Sequence, residues 1–314
     1  MTRRPLFIIN PAAGGGRGTA KWAEFERRFL QKAAPAMQVK GETGGTLEKI
    51  FTTAPGDAKR IAAETADDYD ILVAAGGDGT AAEVAQGLLA SRQRRAGLAI
   101  LPCGTGNDIA LSMGIKDLEE AWTALKRGTP QPMDVIRVEC RSCSGAGVHY
   151  ALSFAGVGII APLLRLTTPL AKKLLGQSLA YKFALLRALW SYTPPQMRIT
   201  CDGKTSDGRF LFLGVSNGEN AGGGMRLAPG ARIDDGALDV NLVGAVGLLD
   251  GLSQIRRLAR GRHTSHPQVR FFQSRSIGVE AGTKLEVALD GELVGYSPAR
   301  FEVQPRALPV YRHP

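Results

Sequence analysis

Three times in the first 110 residues a short apolar run stops at a cluster of glycines and passes into a helical stretch. Leu6–Ile9 leads into NPAAGGGRG and a helix from about Ala20 to Ala34. Leu72–Ala75 leads into GGDGT and the alanine-rich Ala81–Leu89. Leu98–Leu101 leads into PCGTGND and a helix from about Ile109. Strand, glycine loop and helix in repeated order predict an α/β domain with a parallel sheet. The loops of such a sheet gather at the carboxyl ends of its strands, where ligands bind.

The chemistry of the corners narrows the ligand. Glycine lets the backbone adopt positive φ and come close to a bound group. The free amides of the following helix then point at that group with a partial positive charge behind them, which suits phosphate. Gly76, Gly77 and Gly79 free the backbone, and Thr80 caps the helix or donates to a phosphate oxygen. Asp78 repels phosphate, and makes sense beside Mg²⁺ or a water on Mg²⁺ that bridges to the phosphates. In PCGTGND, Thr105 can donate, while Asn107 and Asp108 stand where a helix starts and also suit capping. One such corner is equally an ordinary glycine turn; three in one α/β half argue for a metal–nucleotide site. Other nucleotide motifs fail. Gly203-Lys204-Thr205 has the tail of a P-loop, but Arg198 stands where its first glycine belongs. Gly156-x-Gly158-x-x-Ala161 lacks the acidic residue of a dinucleotide site about 20 positions on.

After Pro132 the pattern changes. Val135–Glu139, His149–Phe154, Arg209–Val215, Ala237–Val243, Val269–Phe272 and Leu285–Asp290 read as strands between turn residues. They predict a mostly antiparallel second domain. Pro169–Tyr192 reads as a helix ended by Pro194-Pro195, and Leu248–Leu258 as a further helix.

The net charge is +10, and no acidic residue lies between Glu139 and Asp202, a span holding Arg141, Arg165, Lys172, Lys173, Lys182, Arg187 and Arg198. That favours an anionic partner. Phe183 and Trp190 among those lysines suggest reversible docking on anionic phospholipids, each basic residue contributing about 1 kcal/mol. A helix with leucines inward and lysines in water is the competing reading, and both hold if the basic face stays free. Aromatic residues at 6% and the absence of any nucleic-acid motif argue against nucleic acid. No apolar run of about 20 residues predicts a membrane span, and the apolar part of MTRRPLFIINP is too short for a signal peptide. The expectation is a cytoplasmic protein with transient peripheral membrane association; a homodimer stays open. Cys140 and Cys143 have CxxC spacing, but no second pair completes a zinc site.

With NPAAGGG, GGDGT and PCGTGND together, the chain resembles the diacylglycerol-kinase-like lipid kinases, in particular the bacterial soluble ones, over nearly its whole length. GGDGT alone is shared with NAD kinases, but no NExD-type motif follows it here. The resemblance implies an N-terminal nucleotide-binding α/β domain, residues 1–130 with 299–314 returning to it, and a C-terminal β-sandwich, 131–298. It implies ATP contacts from Asn10, Pro11, Ala12, Ala13 and Gly14, from Thr52 in TTAPGDA, from Gly76, Gly77, Asp78, Gly79, Thr80 and Glu83, and from Thr105 and Asn107. Asp78 and Asp108 would organise Mg²⁺. In LEVALDGELV it makes Glu292 the proton acceptor with Asp290 beside it, although Asp-Gly between two β-like runs is also a hairpin turn. In APGARIDDGALDV it implies a structural Mg²⁺ held by the Asp235 carboxylate and the carbonyls of Arg232 and Ala237, with Asp234 as the alternative if the register slips. Ser153 stands where the family often has asparagine. The implied reaction is transfer of the γ-phosphoryl group of ATP to a lipid hydroxyl, diacylglycerol giving phosphatidic acid. The competing functions are an NAD or other small-molecule kinase and a non-catalytic, nucleotide-regulated anionic-lipid-binding protein.

Overall fold

The computed structural model describes residues 4–30, 48–91, 96–142, 145–167, 177–247, 250–251, 257–258 and 260–313. The chain divides into two units. One comprises the chain up to Met133 together with its last residues from Arg306; the other is Asp134–Pro305. The divisions sit a few residues beyond the expected 130 and 298, because a strand runs through each of them.

In the first unit, β1 (Pro5–Ile9) is followed by a helical turn at Ala13–Gly16 and by α1 (Gly18–Phe25), which continues into one π-helical turn at Glu26–Leu30. Then come β2 (Glu48–Phe51), α2 (Asp57–Thr65), β3 (Ile71–Gly76), α3 (Asp78–Ala90), β4 (Gly97–Pro102), α4 (Asp108–Ser112) and α5 (Leu118–Arg127). The sheet runs β2-β1-β3-β4, every pair parallel, and the end of the chain adds a parallel strand beside β4 through Val310 and Leu98. Every residue of β1, β3 and β4 is buried, which explains why these strands read as unbroken apolar runs: both faces are covered. Trp22 and Phe25 of α1 pack with Phe7 of β1 as tilted rings, with centroids 5.0–6.2 Å apart. The helix expected from Ile109 is two helices. α4 ends at Met113, Gly114 turns the chain at φ 73°, and Asp117 then caps α5 by accepting the Glu119 and Glu120 amides.

The second unit is a sandwich of mostly antiparallel strands. Its elements are β5 (Gln131–Ser142), β6 (Gly145–Ala151), β7 (Phe154–Gly158), α6 (Ile160–Leu166), α7 (Gln177–Ser191), β8 (Gln196–Cys201), β9 (Lys204–Ser216), β10 (Asn220–Ala221), β11 (Met225–Arg226), β12 (Leu238–Gly244), β13 (Val269–Ser274), β14 (Ser276–Ala281), β15 (Glu286–Leu289) and β16 (Glu292–Val310). Two long strands belong to both layers. The first half of β9 pairs with β8, its second half with β7 and β12. β16 pairs first with β15, then with β14, before its end enters the first unit. Between the layers Ile136, Val138, Val157, Leu213, Val240, Ile277, Val287 and Phe301 form a closed apolar core.

The described part of the helix expected at 169–192 is α7. Ala184, Leu185, Ala188 and Leu189 face inward, toward Ile159, Leu211 and Phe212. Phe183, Leu186, Arg187 and Trp190 face outward. Lys172 and Lys173 fall outside the described residues. Gly203, which opens the P-loop-like Gly203-Lys204-Thr205, forms with Asp202 the tight turn between β8 and β9, both at positive φ.

Candidate active site

In the first unit three corners meet at the carboxyl ends of β1, β3 and β4. After β1, Asn10 turns the chain by accepting the Ala12 amide on Oδ1 at 3.0 Å. Its Nδ2 donates to Thr80 Oγ1 at 2.9 Å, tying NPAAGG to GGDGT. Gly14, Gly15 and Gly16 follow in succession at positive φ. The second and third corners touch through bare backbone. A Cβ on Gly104 would lie 2.5 Å from Gly77 Cα and 2.7 Å from Asn107 Oδ1. Only two glycines allow that approach. It leaves no side chain between the two corners, which the Cys103 and Gly104 amides tie together by donating to the Gly76 carbonyl at 2.8 and 3.1 Å.

Asp78 opens α3, but its Oδ1 accepts the Ile109 amide at 2.9 Å, so it also caps α4. Burial pushes its carboxyl above the usual carboxylate range and the Asp108 charge adds to this, while the amides of Ile109, Asp108 and Asn107 pull the other way. Asn107 takes the left-handed conformation, φ 55°, and donates from Nδ2 to the Gly104 carbonyl at 3.2 Å. Its Oδ1 is buried without a hydrogen-bond partner. A partially buried carboxylate, a second carboxylate near it and an orphaned amide oxygen are all hard oxygen donors. They fit a Mg²⁺ ion carried on phosphate, and the open glycine cradle fits the phosphates themselves.

The remaining nucleotide candidates sort by what they already hold. Glu83 accepts the Gly56 and Ala58 amides at 3.0 and 3.1 Å, so it braces the start of α2. Thr52 hangs its amide on the Ile9 carbonyl at 2.9 Å, beside the same corner. Asp57 is held well below the usual carboxylate range by the hydroxyl and amide of Thr53 and the amide of Ala54. Thr105 is exposed with its hydroxyl unengaged among the described contacts.

In the second unit Asp290 and Gly291 form the hairpin turn between β15 and β16, both at positive φ. The two acids of DGE differ sharply. Asp290 accepts three amides, from Leu152 on Oδ2 at 2.7 Å and from Ser153 and Phe154 on Oδ1 at 3.0 and 2.9 Å. Glu292 is exposed at the tip of the hairpin. The Asp290 clamp also explains why the strand expected at 149–154 is two strands: it captures the bend between β6 and β7. Ser153 donates its hydroxyl to the Asn220 carbonyl at 2.8 Å, and Asn217 donates to the carbonyls of Asp134 and Leu152 at 2.7 and 2.9 Å. Asn217 escaped sequence reasoning, because an asparagine after a strand reads as a turn residue.

At the third candidate, Arg232 pairs with Asp234 at 3.2 Å. Asp235 accepts the Ala237 amide and the Gln273 side chain, each at 3.1 Å. Asp239, which sequence reasoning missed inside a strand, is buried with Oδ2 unpartnered, and burial with the Asp235 charge pushes it up to about 6. A cation fits beside Asp235, because it would satisfy that orphaned oxygen. Among the described residues no three His, Cys, Asp or Glu side chains gather into a complete metal cage, and Cys143 lies outside them.

Comparison with known proteins covers both units. Residues 4–138 match the diacylglycerol kinase catalytic domain, and residues 167–312 match the YegS C-terminal NAD kinase beta sandwich-like domain. A probable lipid kinase YegS-like of Pseudomonas aeruginosa is 36% identical over 90% of this chain and 89% of its own length. The diacylglycerol kinase of Bacillus subtilis is 29% identical over 99% of this chain and 95% of its own length. The crystal structure of a putative diacylglycerol kinase from Bacillus anthracis superposes with a TM-score of 0.81 at 25% identity, covering 99% of this chain and 96% of that one. Identity along nearly the whole length, both domains included, makes this chain a member of the diacylglycerol-kinase-like family of lipid kinases.

Proposed function

We propose that the chain transfers the γ-phosphoryl group of ATP to the hydroxyl of diacylglycerol, giving phosphatidic acid, with Mg²⁺ at the phosphates. The observation that carries this reading is the bare contact of Gly77 with Gly104 beside Asp78 and the orphaned Asn107 Oδ1. The amides at the start of α3, Asp78–Thr80, with that of Gly14 bind and orient the triphosphate; those of Asn10, Ala12 and Ala13 already hold the first corner together. Asp78, Asp108 and Asn107 would hold the magnesium, which when bound neutralises charge that develops on the phosphoryl oxygens. Glu292 takes the proton from the lipid hydroxyl as its oxygen bonds to phosphorus, and ADP leaves. Asp290, its carboxylate occupied by three amides, is a positioning residue for Glu292. Asp235, with the carbonyls of Arg232 and Ala237 and with Asp239 behind it, holds a second, structural cation.

A soluble enzyme with a lipid substrate must meet a membrane. Among the described residues no helix is long and apolar enough to cross one. The outer face of α7 supports peripheral docking instead: Trp190 is 76% and Phe183 58% exposed, with Leu186 and Arg187 between them. Apolar side chains beside a cation suit an anionic interface. The reading is a cytoplasmic kinase that visits anionic phospholipid surfaces. Labelled ATP offered with a panel of diacylglycerol, other lipids, NAD and sugars tests the acceptor. Label on diacylglycerol supports the reading; label on NAD or a sugar alone refutes it.

A further inference from the structure

The loop after β12 carries a feature with no part in the phosphoryl-transfer chemistry above. Arg257, Arg260, Arg262 and Ser265 line a surface cavity of about 350 Å³. The three arginines stand around a turn that two backbone hydrogen bonds tie together. Arg262 donates its amide to the Arg257 carbonyl at 2.8 Å, and Gly261 donates to the Leu258 carbonyl at 3.0 Å. This nested pair of bonds, closed by a glycine at φ 66°, is the wrap that ends a helix. A Cβ at Gly261 would come within 2.9 Å of Pro229 Cγ, so the turn sits tightly on the Arg226–Pro229 segment. Ser265 donates its hydroxyl to the Arg262 carbonyl at 3.1 Å and pins the far side.

Basic residues near a helix end are often explained by the exposed carbonyls there. Here the carbonyls of Arg257 and Leu258 are already taken by backbone amides, which leaves the guanidiniums without that role. None of the three has a carboxylate partner among the described residues, whereas the nearby Arg226 and Arg232 pair with Glu219 and Asp234. Three like charges around one concavity repel each other, and the arrangement is relieved by an anion that bonds to all of them. A planar carboxylate saturates one guanidinium fork; a tetrahedral phosphate offers oxygens in several directions and satisfies more than one fork. The volume admits a phosphate with a short polyol stem.

We propose that this cavity is a second anion site, separate from the nucleotide corners, that binds a phosphate-bearing group the size of glycerophosphate. Two sources share that chemistry: a soluble phosphate ester and the headgroup of an anionic lipid. The proposal does not depend on the kinase reading, and its test needs no phosphoryl transfer.

The test uses the full chain with its nucleotide site saturated by a non-hydrolysable ATP analogue. Glycerol 3-phosphate is titrated at fixed ionic strength by calorimetry. In parallel, sedimentation is followed with phosphatidylcholine vesicles lacking or containing phosphatidic acid. The wild type gives a saturable response in at least one arm. Arg260→Gln/Arg262→Gln weakens that response tenfold or more, at an unchanged melting temperature. Response to glycerol 3-phosphate alone assigns a soluble ester; response to phosphatidic acid vesicles alone assigns a headgroup. The proposal is overturned if the arginine substitutions change neither arm, or if chloride at equal ionic strength displaces the ligand as well as sulfate does. Arg257→Gln, a single side-chain change that keeps the backbone bonds of the turn, serves if the double variant does not fold.

Discussion

Asp290→Asn separates the two acids of the β15–β16 hairpin. The wild-type carboxylate accepts three amides from the bend between β6 and β7. Asparagine keeps the left-handed backbone at φ 45°, which alanine would strain. It also keeps one oxygen, which can still serve Ser153 and Phe154. Its amide nitrogen, however, faces the Leu152 N–H, donor against donor. Orphaning that amide costs about 1.5–3 kcal/mol, and losing the charge weakens the other two bonds by about 0.5–1 kcal/mol each. The sum is about 2.5–5 kcal/mol. For a unit of this size each kcal/mol lowers Tm by about 2–4 °C, so the second unit should melt about 5–20 °C lower. Scanning calorimetry reads the shift, and amide exchange at Leu152, Ser153 and Phe154 reads its location. A melting temperature within a degree of wild type, with those amides still protected, would refute the structural role given to Asp290.

Gly104→Ala drives a methyl group into Gly77 and Asn107, parting the two corners, and should weaken ATP binding tenfold or more by calorimetry while the second unit melts as before. Burial holds the His263 imidazole below its ordinary value, and its Nε2 lies 3.2 Å from Asn241 Oδ1. Its neutral form is favoured by folding, so its contribution is fully present above about pH 6.5 and is lost as pH falls toward the lowered folded value. Melting curves between pH 7.5 and about 5 should therefore fall less steeply for His263→Gln than for wild type. Phe183→Ser/Trp190→Ser removes about 2 kcal/mol of apolar burial at an interface and should reduce partition onto anionic vesicles roughly 30-fold, leaving turnover of a micelle-free short-chain lipid unchanged.

The parallel half was legible because both faces of its central strands are covered. Unbroken apolar runs such as Ile71–Ala75 then stand out against the glycines that follow. Edge strand β2 carried no such signal, since all four of its residues are exposed. β14 has no turn pair at its ends strong enough to mark it, and β16 is too long for a single period to describe. The bend at Leu152–Phe154 was invisible because its cause, Asp290, lies 136–138 residues away in sequence. At the site, residue types in GGDGT and GTGND pointed to phosphate chemistry. They did not disclose that Asp78 spends one oxygen on the next helix, or that Glu83 braces a loop, because those partners come from other turns of the chain. DGE read as an acceptor, Glu292, with a second acid beside it; hydrogen bonding makes that second acid, Asp290, a clamp on a distant bend.

The central claim is that Glu292 receives the proton as phosphate moves to the lipid. Its most direct measurement is single-turnover transfer of labelled γ-phosphate to diacylglycerol by Glu292→Gln, with ATP affinity and Tm measured on the same preparation. The account predicts a rate reduced about 100-fold or more, with both other quantities as in wild type. Transfer at the wild-type rate would contradict it.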